Sequence, residues 1–169
     1  MAKQKFELPW IAEGKKVFGL HEKHDKAALT AWLRSDGRRL GDTEQLPWCG
    51  DFVETAIRNS LPDEQFKGPL AENPYWARNW LHLGYPITPD YYGAVLVFKR
   101  GSGGHVGFAV GQDETDFYVL GGNQSNAVTI TRISKSRLLG ARWPKSYQGK
   151  TKKLPTMQPN NIPRTTNEF

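Results

Sequence analysis

Pro47-Trp48-Cys49-Gly50-Asp51-Phe52-Val53 holds the sole cysteine of the 169-residue chain and opens a helical pattern. Cys49, Phe52, Val53, Ala56 and Ile57 recur at the spacing of one helix face. Pro47 suits the run-in, and Asp51 and Glu54 lie in the first turns, where the helix dipole favours negative charge. The spacing places Cys49 in the first turn, on the inward side. A thiol there feels the positive helix end, which lowers a free pKa of about 8.5 towards the thiolate. The same position also suits a small buried hydrophobe, so the stretch alone leaves nucleophile and core residue open.

The length fits one ordinary domain, and 38% apolar residues with six tryptophans mark a globular chain and not a disordered one. A net charge of +6 favours polyanions, whether nucleic acid, an anionic membrane surface or a bacterial wall. One cysteine excludes an internal disulfide framework. The basic start, Met1 to Phe6, has no long apolar run behind it, so neither a secretory signal nor a membrane span is expected.

The first half reads as helical. One helix is expected over Leu8 to Phe18, stopped by Gly19. A second is capped by Asp25, has Leu29, Trp32 and Leu33 inward, and ends near Gly37. The cysteine helix ends by Leu61-Pro62. After an irregular stretch from Asp63 to Glu72, Asn73-Pro74 reads as the start of another helix with Trp76, Ala77, Trp80 and Leu81 inward and Gly84 at its end. From Gly93 the pattern turns to strands: Ala94 to Phe98, His105 to Val110, Phe117 to Leu120 and Val128 to Ile133, with a short closing element over Arg137 to Trp143. Helices followed by antiparallel strands give an α+β class. Residues 1–147 read as one domain and residues 148–169 as a mobile, basic, proline-rich tail.

His105 begins a strand after the Gly101-Ser102-Gly103-Gly104 loop, and Asn123 follows the next strand. A hairpin turning at Gln112 to Asp116 centres on 114, the midpoint of 105 and 123, so His105 and Asn123 face each other across the pair. A one-residue slip puts Gln124 or Gly122 there instead. A cysteine at a helix start, a histidine on a sheet and an amide that orients the ring form a thiol-hydrolase constellation. For His105 and Asn123 the alternatives are a satisfied strand-end histidine and an ordinary turn residue.

Five blocks together carry a resemblance: Pro47 to Val53, Gly93 to Phe98, Gly104-His105-Val106-Gly107-Phe108, Val119 to Gln124, and Leu138 to Pro144. In this order they resemble the NlpC-like and CHAP-type cysteine peptidases, above all the small phage and prophage cell-wall hydrolases. The resemblance implies a papain-like fold with the nucleophile helix packed on an antiparallel sheet of four or more strands. It implies cleavage of an amide bond in peptidoglycan, as endopeptidase or N-acetylmuramoyl-L-alanine amidase, with Cys49 as nucleophile, His105 as base and Asn123 or Gln124 as third member. No cofactor or metal is implied, and the partner is bacterial peptidoglycan and not nucleic acid. Two positions depart: Trp48 stands where many relatives have aspartate, and Gly121 where CHAP-type enzymes carry glutamate.

Trp48, Tyr92, Gly103 and Gly104 are candidates for a substrate groove, the aromatics for sugar or peptide faces and the glycines for room beside His105. His21-Glu22-Lys23-His24 has its histidines three apart, unlike the zinc motif, and reads as a solvated loop. The lysines of the tail suit an anionic wall or membrane. The chain is expected to be a monomer, made in the cytoplasm and acting at the wall after release through a holin, a virion or a secretion system, or as a toxin with an immunity partner. The rival expectations are a non-catalytic wall-binding or virion protein on this fold, and a thiol acyltransferase of transglutaminase type.

Overall fold

The computed structural model describes residues 5–38, 40–158 and 162–165. Among the described residues, four α-helices and a six-stranded antiparallel sheet make an α+β architecture. The helices are α1 (Pro9–Lys15), α2 (Lys26–Arg34), α3 (Cys49–Ser60) and the single turn α4 (Pro69–Glu72). The strands are β1 (Tyr85–Pro86), β2 (Val95–Arg100), β3 (Gly103–Gln112), β4 (Asp116–Gln124), β5 (Ala127–Ser134) and β6 (Leu138–Trp143). They lie in the order β1-β6-β2-β3-β4-β5. Among the described residues no helix is long and apolar enough to cross a membrane.

The cysteine helix begins where the hydrophobic spacing puts it. Phe52, Val53, Ala56 and Ile57 are fully buried, and Phe52 meets Phe108 of β3 with ring centroids 6.0 Å apart. Two glycines allow the helix to sit so close. A Cβ on Gly50 would strike the Pro74 carbonyl, and one on Gly122 of β4 would lie 2.6 Å from the Trp48 ring and 2.7 Å from Phe52 Cβ. Without these side chains the backbone at Pro74 and Tyr75 approaches Gly50, and the side chains of Trp48 and Phe52 pack directly onto Gly122.

Several expectations are corrected. The first helix stops at Lys15, and Phe18 is exposed while Trp10 and Ile11 are buried. Asp25 precedes α2 without capping it, because its carboxylate accepts the His21 N–H at 3.0 Å. Asn73 does not start a helix. Its Oδ1 accepts the Tyr75 N–H at 3.1 Å, and the chain turns only at a 3-10 helix over Ala77–His82. Trp80 is buried there, but Trp76 is exposed. The turn α4 and the short strand β1 had no periodicity to announce them.

The segment expected to be a mobile tail lies, where described, against the sheet. Tyr92 N–H donates to Lys152 O, Leu154 N–H to Asp90 O and Met157 N–H to Gln112 O. Leu154 is buried in the core. Farther on, Arg132 N–H donates to Pro163 O and Arg164 pairs with Asp116 at 2.8 Å. These contacts cover part of the exposed edge of β5, a row of backbone groups that otherwise templates association. Residues 159–161 and 166–169 of that segment, and the basic residues 1–4, lie outside the described residues.

The glycine approach makes a stability prediction. Gly122→Ala is expected to cost about 1–3 kcal/mol, because an overpacked core must shift, and to lower Tm by about 2–4 °C per kcal/mol. Gly103→Ala, whose Cβ would meet nothing nearer than 3.5 Å, is expected to stay within about 0.5 kcal/mol. Thermal unfolding of both variants measures this, and equal Tm values contradict the packing argument.

Candidate active site

The β3–β4 hairpin turns through residues 113–115, and its register pairs Phe108 with Leu120 and Ala109 with Val119. Each pair sums to 228, the sum of 105 and 123. Nearer the turn, Gly111 pairs with Tyr118 and Gln112 with Phe117, which sum to 229, so the register about residue 114 holds only at Val119 and Leu120 and is shifted by one at Val110. On the other side, β4 meets β5 with Gly121 opposite Thr129 and Gln124 opposite Ala127. Three steps on β4 match two on β5, so β4 carries one extra residue at 122–123, a β-bulge. Asn123 absorbs it with φ of 59°. Ser125 and Asn126 follow with φ of 53° and 62°, as a tight two-residue hairpin turn requires.

The bulge carries Gln124 into the position that straight alternation reserves for Asn123. Gln124 Oε1 lies 2.9 Å from His105 Nε2. Asn123 instead lines a neighbouring cavity. Of the two amides expected as partners of the ring, it is Gln124, the rival position, and not Asn123 that bonds His105. Gln124 is held tightly: its amide nitrogen donates to Val119 O at 3.1 Å and Thr129 O at 2.8 Å. Those two acceptors fix the amide's orientation, so its oxygen faces the ring. A carbonyl oxygen only accepts, so His105 Nε2 must carry a proton, and in the neutral ring the basic lone pair sits on Nδ1.

Gly121 is part of the same fit. A Cβ there would lie 2.5 Å from Gln124 Oε1 and 3.4 Å from His105 Nε2. The glutamate of the CHAP pattern has no room at this position, and the Gln124 amide fills the space instead. Gly122, the next residue, lies under Trp48 and Phe52. The two glycines thus bring the first turn of α3, with Cys49, to the strand segment that borders the His105–Gln124 pair. Cys49 is 4% exposed and His105 1%.

The groove residues divide. Trp48 is buried, and its indole N–H donates to Glu22 Oε2 at 2.8 Å. Gly104 leaves no room for a ligand, since its Cβ position is crowded by Phe98 O, Arg78 and Ala77. Gly103 accepts from Arg78 Nε at 2.8 Å and borders the exposed Trp76. Tyr92 stands apart from His105. Its neighbour Gly93 bonds Ala109 O, four residues along β3, about 13 Å away. The Tyr92 hydroxyl donates to Glu7 at 3.0 Å and so ties down the N-terminal segment.

Sequence reasoning missed two features. Glu22, read as part of a solvated loop, is held by Trp48 and by its own N–H on Asn126 O at 2.8 Å. The second is a buried acid cluster on the flank of α3. Asp36, Asp51 and Glu54 each place a carboxylate oxygen within 4.8 Å of the others. Arg38 and Arg58 reach Glu54 Oε2 at 3.2 and 2.9 Å. Three carboxylates against two guanidiniums leave one surplus negative charge, which one proton neutralises. Burial pushes Asp51 up to about 7, with Glu54 and Asp36 adding to the push, against the opposing Leu40 N–H and Arg38 charge. Burial raises Glu54 and Asp36 as well.

No family model matches this sequence. A curated protein similar to it is Recombination repair protein 1 of Drosophila melanogaster, 28% identical over 146 residues. The match takes in 79% of this chain, which spans about a fifth (19%) of that protein.

The acid cluster sets a pH dependence. An unfolded aspartate titrates at about 3.9, whereas folded Asp51 holds its proton to about 7. Between those values the folded state binds more protons, so stability falls as pH rises through the window. Asp51→Asn is expected to flatten that fall, by on the order of 1–3 kcal/mol. Denaturant unfolding at pH 5 and pH 8 measures it. An equal pH slope in the two proteins, or stability that rises across the window, counts against a shared proton.

Proposed function

We propose that this chain is a papain-like cysteine amidohydrolase that cuts an amide bond of bacterial peptidoglycan, as a phage or prophage lysin does. The observation that carries the proposal is the buried His105–Gln124 hydrogen bond beside the two glycines that seat the first turn of α3. An amide oxygen on Nε2 is what an orienting residue supplies in a thiol triad. It turns the other ring nitrogen into the base.

In this reading His105 Nδ1 takes the proton of Cys49 Sγ. The sulfur attacks the carbonyl carbon, and the C–N bond breaks as His105 returns the proton to the leaving amine. Water then hydrolyses the thioester with His105 again as base, which frees the acid and restores the thiol. The Cys49 N–H, in the first turn of α3, suits the oxyanion. Gln124 acts through His105 and is a positioning residue. The protein's net charge of +6 suits approach to an anionic wall. Delivery to that wall by a holin, a virion or a secretion system belongs to the same proposal.

Purified peptidoglycan digested with the native protein is expected to release peptides that mass spectrometry identifies, and Cys49→Ala to release none. Gln124→Leu is expected to lose about 10²-fold or more in rate and to shift the acid limb of the pH–rate profile. Asn123→Gly, which keeps the left-handed conformation, is expected to lose far less. Wall binding without Cys49-dependent release points to a non-catalytic binder. Isopeptide formation with loss of ammonia points to acyl transfer. A greater loss in Asn123→Gly than in Gln124→Leu contradicts the assignment.

A further inference from the structure

A positive face lies away from the candidate site. A cavity of about 490 Å³ opens between the N-terminal segment and the stretch after β6, lined by Lys5, Phe6, Glu7, Tyr147 and Lys150. Lys152 borders it: its Nζ lies 5.6 Å over the Phe6 ring and 4.2 Å over the Tyr92 ring. Tyr92 precedes Gly93, which bonds Ala109 O, four residues along β3 from His105 and about 13 Å away. The cavity therefore stands well apart from the proposed reacting groups.

The fold holds these lysines in place. Lys152 O accepts the Tyr92 N–H at 3.0 Å, Lys150 O accepts the Tyr147 hydroxyl at 2.6 Å, and buried Leu154 pins the next turn of chain. The acid of the lining is already engaged: Glu7 Oε2 accepts from Lys15 Nζ at 2.8 Å and Oε1 from the Tyr92 hydroxyl at 3.0 Å. Lys153 is paired with Asp90 at 3.0 Å. Lys5, Lys150 and Lys152 are exposed and make no ion pair among the described residues. An ammonium group is a compact point charge that suits phosphate, and a cluster of one sign raises the local concentration of the opposite one.

The surroundings narrow the class of anion. A bilayer takes up apolar side chains, and among the described residues none of the exposed large apolar side chains lines this cavity. Single-stranded nucleic acid draws on open aromatic faces for its bases. Here Lys152 lies over Phe6 and Tyr92, and Tyr147 packs edge-on against Trp10 with centroids 5.0 Å apart. Three unpaired amines from two chain segments suit repeated charges on one flexible chain better than one compact anion.

We infer that this face is a binding site for a base-free polyanion, a polyol chain joined by phosphodiesters, and that it holds the protein to its target separately from the reacting groups. The inference stands apart from the peptidase reading.

The test is calorimetric binding of a synthetic glycerol-phosphate hexamer to three proteins: the native chain, Lys5→Gln/Lys150→Gln/Lys152→Gln, and Lys23→Gln/Lys67→Gln/Lys99→Gln. The last removes the same charge from exposed lysines outside the cavity. The cavity variant is expected to bind about tenfold or more weakly, with the steepness of log affinity against log salt reduced by about two. The outer variant is expected to stay within about threefold of the native protein, since distant exposed charges are screened. Glycerol 3-phosphate, a single-stranded oligodeoxynucleotide of equal charge and phosphatidylglycerol vesicles are expected to bind more weakly than the hexamer. Equal losses in the two variants, no binding of the hexamer, or binding of any of the other three probes as tight as the hexamer's overturns the inference. Cleavage of a soluble stem peptide, followed in parallel, is expected to be the same in all three proteins. Cleavage without hexamer binding sinks this inference and keeps the peptidase reading. Hexamer binding without cleavage does the reverse.

Discussion

The site depends on a mismatch of register. The two-residue turn at Ser125-Asn126 fixes Gln124 opposite Ala127, while the rest of β4 runs against β5 one residue out of step. One residue must leave the ladder, and Asn123 does so in the left-handed conformation. A strand shows alternate residues to one face, so without that extra residue Gln124 would point away from His105. The bulge is the device that aims the amide, as bulges beside functional sites commonly do.

The glycines follow from the same constraint. Once Gln124 folds back towards His105, residue 121 has no space for a side chain, and residue 122 must let Trp48 and Phe52 come down onto the strand. The amide is then locked by two backbone carbonyls, Val119 and Thr129. A ring oriented by so rigid a partner has its tautomer set by the fold itself, the preorganisation that the proposed role of His105 as a base requires. Burial of Asp51 and Glu54 on the flank of the cysteine helix runs against stability near neutral pH, since burial penalises their charged forms.

Much of the architecture was legible in the residues because hydrophobic spacing reports it directly. Phe52, Val53, Ala56 and Ile57 gave the cysteine helix, and the valine-rich runs gave β2 to β5. The hairpin midpoint gave the pairing of β3 with β4 at Phe108–Leu120 and Ala109–Val119, but not the one-residue shift at Val110. It did not give the bulge, because an extra residue in a strand leaves no periodic trace and both Asn123 and Gln124 are amides. Glu22 was hidden for a different reason. Its role comes from Trp48 and Asn126, which are distant in sequence, and a polar run such as His21 to His24 looks alike whether solvated or anchored. In residues 148–169, expected as a mobile tail, the lysines and prolines gave no sign of the buried Leu154 or of the backbone hydrogen bonds to residues 90, 92 and 112.

The proposed chemistry depends on which amide holds the histidine. The most direct measurement is the ¹⁵N resonance pair of the His105 ring, recorded near neutral pH in the native protein, in Gln124→Leu and in Asn123→Gly. The geometry predicts a protected proton on Nε2 in the native protein and in Asn123→Gly, lost to fast exchange or tautomeric averaging in Gln124→Leu. A ring signal that responds to Asn123→Gly and ignores Gln124→Leu, or an Nε2 without a proton, contradicts it.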